Sequence, residues 1–270
     1  MRLPIYQIDA FSSELFGGNP AAVCPLERWL DTRLLQAIAA ENNLAETSFI
    51  VFLEPGNYQL RWFTPAVEVP LCGHATLAAA YAIAHRIEAG REHFRFQTLS
   101  GELLVTRSGD LFTLDFPVRP PMASPPRADF AAALGAVPLA QFTGTFEMAV
   151  FSTEAEVRAL RPDMRALAAI DHFGLIVTAP GDKGDKGDKV DFVSRFFAPR
   201  AGIDEDPVTG SAHCMLTPYW AERLGKSRLH AQQVSQRGGE LWCEAKGDRV
   251  LIAGHGAFYL EGTIEVPETL

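Results

Sequence analysis

Residues 61–78 read RWFTPAVEVPLCGHATLA, and residues 195–212 read RFFAPRAGIDEDPVTGSA. Arg61, Phe63 and Pro65 have the spacing of Arg195, Phe197 and Pro199, at an offset of 134, and Gly73-His74-Ala75 answers Gly210-Ser211-Ala212 at an offset of 137. The match continues in Gly101-Glu102-Leu103 with Gly239-Glu240-Leu241, and in Gly109-Asp110 with Gly247-Asp248, both at an offset of 138. Upstream, LQAIAAENNLAETSFIVFLEPG (35–56) answers VRALRPDMRALAAIDHFGLIVTAPG (157–181) more loosely. Matches that keep their order while offsets drift by loop lengths mark a duplicated unit.

Each unit reads as helix, strand, second strand, loop, buried helix and strand meander. The meander is plainest at LLVTRSGDLFTLDF (103–116), where alternating strands flank a Gly-Asp turn, and it returns in LWCEAKGDRVLIAG (241–254). The helix expected over 74–88 is apolar on nearly every side, so its own unit must wrap it. The expectation is an α+β protein of two pseudo-symmetric lobes, 1–117 and 130–270, each an antiparallel barrel-like sheet around a central helix. The chain ends are free to cross between lobes, and the proline-rich PVRPPMASPPRAD (117–129) links them. GDKGDKGDK (181–189) reads as a surface loop joining two strands.

A net charge of −9 disfavours nucleic acid as a partner. Cys24, Cys72, Cys214 and Cys243 form no CxxC and read as reduced thiols. No bilayer-spanning run occurs, and MRLPIYQIDAF alternates like a strand, so a soluble cytoplasmic protein with no membrane partner is expected. GxGxxG and P-loop motifs are absent, and no His/Asp/Glu cluster has metal-ligand spacing; cofactor-free, metal-free chemistry is the expectation.

Gly73 and Gly210 each open a helix, where unpaired N–H groups and the helix dipole favour an anion such as a carboxylate. Two lobes related by a pseudo-twofold would aim both starts at one small acidic molecule. Asp204 and Glu205 read as solvated residues ahead of a helix start; Asp206, held extended by Pro207, is the site candidate. His74 and Ser211 follow the two glycines and could offer imidazole and hydroxyl to the ligand. His213 and Cys214 read as packing residues. Cys72 is either a thiol base or nucleophile, or a small buried hydrophobe. Glu46, entering an apolar strand, is either an edge residue in water or a desolvated general acid/base. Pro218 should bend the second helix, which should stop at Leu224-Gly225.

The stretches IDAFSSELFGGNPAAVC (8–24), AETSFI (45–50), RWFTPAVEVPLCGHATLA (61–78), RFFAPRAGIDEDPVTGSAH (195–213) and QRGGELW (236–242) resemble the PhzF-like family, named for a phenazine-biosynthesis isomerase. The resemblance implies the diaminopimelate-epimerase-like fold, with the site between two lobes, and a cofactor-independent isomerase that is usually a homodimer. It implies Glu46 as the proton carrier with His74 and Asp206. The substrate's carboxylate would lie on Gly73, Gly210, Ser211 and Ala212, with Asn19 of GNPAAV also in the substrate-binding set. Ala45 departs from the Ser that precedes the Glu in phenazine enzymes, which puts that particular substrate in doubt. Related racemases use two opposed thiols; here Cys72 has no counterpart at Pro207-Val208. A racemase or epimerase using Cys72 with another base, and a non-catalytic small-acid binder, are the alternatives.

Overall fold

A computed structural model describes residues 1–182 and 189–268. The interior of the GDKGDKGDK run, 183–188, lies outside the described residues. The first unit carries β1 (Arg2–Ala10), β2 (Asn19–Leu26), α1 (Thr32–Asn42), β3 (Glu46–Glu54), β4 (Asn57–Phe63) and β5 (Glu68–Val69). It continues with α2 (Gly73–Ala82), β6 (His93–Thr98), β7 (Gly101–Ser108) and β8 (Leu111–Pro117). The second carries β9 (Met122–Ser124), α3 (Ala128–Leu134), β10 (Ala140–Thr143), β11 (Glu147–Val150), α4 (Glu154–Ala159), α5 (Met164–Ala169) and β12 (Leu175–Pro180). There follow β13 (Phe192–Ala198), β14 (Ile203–Asp206), α6 (Gly210–Leu224), β15 (Arg228–Gln233), β16 (Gly239–Lys246) and β17 (Arg249–Gly254). β18 (Gly256–Glu265) ends the chain.

The compact units are residues 1–115 with 253–270, and residues 116–252. The end of the described chain, 253–268, placed on the sequence in the second lobe with the chain ends left free to cross, groups with the first unit, where β18 pairs antiparallel with β1. The proline-rich link is not all loop: β9 lies in it and pairs with β10.

The pairing pattern repeats. In the first unit β2 pairs parallel with β3, β3 antiparallel with β4, β4 parallel with β6, and β6 antiparallel with β7. In the second, β11, β12, β13, β15 and β16 pair in the same order and the same directions. The sheets are mostly antiparallel, as expected, but among the described residues each unit has two parallel pairs. A parallel pair needs a crossover rather than a hairpin, and every one of these four crossovers contains a helix. Gly109 and Gly247 take positive φ at the first position of the matching Gly-Asp turns, the conformation a two-residue hairpin asks of glycine.

α2 is buried over nearly its whole length and packs on β1, β2, β3 and β18. The expected helix over 74–88 is α-helical only to Ala82, and Ile83–Ile87 widen into one π turn. α6 runs through Pro218, which cannot donate to the carbonyl of Cys214; the backbone N–H of Arg119 donates to it instead, at 3.0 Å. The helix stops, as read, at Gly225 in the left-handed conformation.

The repeated arginines have one task in both units. Arg61 donates Nε and Nη2 to Glu68, each at 2.7 Å, and lies over Phe63. Arg195 grips Glu205 in the same fork, at 2.7 and 2.9 Å, and lies over Phe197. Glu205 is thus not the solvated residue its place in an acidic run suggested, whereas Asp204 is exposed. Alternation along β14 turns the two side chains to opposite faces.

Candidate functional site

In the first unit, β2 and β3 run parallel with Ala21 beside Glu46, which brings Asn19 and Glu46 to one end of the pair. Ser48, on the same face as Glu46, donates its hydroxyl to the carbonyl of Ala75 at 3.0 Å, pinning β3 to the first turn of α2. The result is a contact between the two candidates: Glu46 Oε2 lies 3.0 Å from His74 Nε2, with side chains only 13% and 6% exposed. Of the two readings of Glu46, the edge residue in water is excluded. The other edge of the imidazole faces Asn19 Nδ2 at 3.2 Å and Cys72 Sγ at 3.5 Å.

Burial opposes a charge on His74, but the attraction of Cys72 and Glu46 outweighs it and holds the imidazole well above its ordinary value. Burial pushes the Cys72 thiol up to about 11, so near neutral pH the thiol keeps its proton. Of the two attractions, only that of the Glu46 carboxylate operates there.

Donor atoms of Glu46, Cys72 and His74 lie within 4.8 Å of one another, a grouping that sequence spacing did not show. Glu46 faces Nε2, whereas Cys72 faces Nδ1. An ion held by one ring nitrogen would need the residue at the other nitrogen to move around the ring, and the thiol would have to lose its proton. As it stands, the set links an acid, an imidazole and a thiol in a line.

In the second unit, β14 ends at Asp206, and α6 starts four residues later at Gly210, with Ser211 half-buried and Ala212 buried behind it. Neither α2 nor α6 has a side-chain cap: Cys72 and Thr209 stand at the cap positions without accepting from the first turn. The Thr209 hydroxyl instead donates to Asp206 Oδ2 at 2.5 Å. Gln233, buried on β15, braces the same loop from behind. These two residues were missed in the sequence; Thr209 stood at a recognisable cap position, whereas Gln233 gave no signal.

His213 donates Nδ1–H to the carbonyl of Thr209 at 2.9 Å, and burial lowers its pKa to about 4. Cys214 is buried. Because the unfolded chain takes up a proton at His213 near pH 6.5 while the folded chain resists until about 4, this residue's contribution to stability is full above 6.5 and falls as pH drops through that window. About 3 kcal/mol of stability, to order of magnitude, should be lost there. His213→Asn should flatten that part of a urea-denaturation pH series.

A family model described as phenazine biosynthesis-like protein matches residues 8–262. The chain belongs to this PhzF family. It is 47% identical to an uncharacterized isomerase of Pseudomonas aeruginosa over 98% of this chain and all of that one. It is 42% identical to the human phenazine biosynthesis-like domain-containing protein over 98% of this chain and 99% of that one. The crystal structure of a PhzF-family protein from Enterococcus faecalis superimposes with a TM-score of 0.93 at 45% identity, covering 98% of this chain and all of that one. This PhzF protein is accordingly an isomerase with the α+β fold of its relatives.

Proposed function

We propose that this PhzF protein moves a proton on a small cyclic or amino-acid-like carboxylate, with protein side chains supplying both acid and base. The observation that carries the reading is the Glu46–His74 contact, largely shielded from water, at the uncapped start of a buried helix. Glu46 takes the proton from one carbon and returns it to another. His74 holds the carboxylate in place and polarises it, and Asn19 steadies the imidazole's far edge. The N–H groups opening α2 at Gly73 receive the substrate's carboxylate. To Asp206 we assign a polarising role, and to Gly210, Ser211 and Ala212 carboxylate binding.

A racemase or epimerase in which Cys72 acts with a second base is the weaker reading. A thiol at about 11 is ionised in roughly one molecule in ten thousand at pH 7, and the remaining cysteines are free and buried. The test is solvent-deuterium incorporation, followed by proton NMR, across a panel of small cyclic and amino-acid-like carboxylic acids in D₂O. Label entering a carbon position of one of them supports proton transfer; binding without label in all of them favours the non-catalytic binder.

A further inference from the structure

At the start of α6, Thr209 stands where a threonine hydroxyl ordinarily accepts a hydrogen bond from the helix's first turn. It makes no such cap. The amide of Gln233 explains its direction. Gln233 Oε1 accepts from the backbone N–H of Thr209 at 2.8 Å, so the Nε2 end faces the other way along the loop. Nε2 donates to the carbonyl of Asp206 at 2.7 Å and to Thr209 Oγ1 at 3.2 Å. With an N–H already directed at it, Oγ1 acts as acceptor toward Gln233, and its single hydrogen goes to Asp206 Oδ2, 2.5 Å away. Ser235 closes the rear of the loop by donating to the carbonyl of Pro207 at 2.8 Å. Gln233 and Thr209 are both buried, so the amide and the hydroxyl are largely shielded from water.

We infer that Thr209 is a positioning residue: its hydroxyl, oriented by Gln233, fixes the Asp206 carboxylate for the reaction and gives up the helix cap to do so. This rests on the reading that Asp206 takes part in the chemistry. The backbone bonds that Gln233 makes are independent of the Thr209 hydroxyl, so the loop survives its removal.

The test compares the unaltered chain with Thr209→Val, Thr209→Ser and Asp206→Asn, using whichever carboxylic acid of the panel the unaltered chain labels from D₂O. Thr209→Val, which keeps the shape and loses the donor, should lower kcat about 10- to 100-fold with KM within about threefold. Thr209→Ser should stay within about threefold of the unaltered chain. Thermal melts establish that each variant folds, and Thr209→Ala carries the same expectation if Thr209→Val does not. A severe loss in Asp206→Asn with normal turnover in Thr209→Val overturns the inference alone. Equal losses in the Val and Ser variants also overturn it, because packing would then be the cause. Normal turnover in Asp206→Asn, or no acid labelled by the unaltered chain, overturns the underlying reading and the inference with it.

Discussion

Glu46→Gln is expected to lower kcat by about 10²- to 10⁴-fold while leaving KM within a few-fold. The substitution keeps the shape of the side chain and an oxygen facing His74 Nε2, 3.0 Å away, so the fold and the local contact should persist. What disappears is the basic oxygen that would receive a proton. A readout independent of turnover comes from His74. Burial works against charge on this ring, and Glu46 is one of the two neighbours, with Cys72, whose attraction raises its titration. Removing the carboxylate's charge should therefore bring the imidazole titration down, visible in the ring-proton shifts of an NMR pH series. Near-normal kcat with a displaced titration would mean that the pair is structural.

Glu205→Ala is expected to destabilise the protein by about 3–5 kcal/mol, the cost of leaving a buried guanidinium without its carboxylate. Among the described residues, Arg195 would retain the carbonyls of Val157 and Leu160, at 3.1 and 2.9 Å, and the ring of Phe197. The Arg2–Glu265 pair is the control. There the side chains are 77% and 69% exposed, and Glu265→Ala should change stability by less than about 1 kcal/mol. Urea denaturation with unchanged m-values separates the two outcomes.

The sequence made the duplication legible because its anchors are residues for which geometry leaves little choice. Gly109 and Gly247 hold positive φ in equivalent turns, and Arg61 and Arg195 each thread a fork into a neighbouring carboxylate. Glu46 was visible as a charge entering an apolar strand, but its contact with His74 depends on the parallel pairing of β2 with β3. That pairing was not legible, since alternation along one strand does not reveal its partner's direction. Glu205 misled for a related reason. In a run of three acids nothing local distinguishes the one that meets a buried arginine ten residues earlier. Gln233 was invisible because it acts through backbone atoms of a loop distant in sequence. A crossing of the chain ends between lobes was allowed for on the sequence, but the pairing of β18 with β1 was not legible, because closure between chain ends leaves no periodic mark.

The central claim is that a carboxylate, rather than a thiol, carries the proton. It is tested most directly by running Glu46→Gln and Cys72→Ala side by side in D₂O with a carboxylic acid that the unaltered chain labels. The account predicts that Cys72→Ala continues to place deuterium on carbon at close to the unaltered rate, while Glu46→Gln loses at least about 100-fold. The reverse pattern, with label abolished by loss of the thiol and retained without the carboxylate, would contradict it.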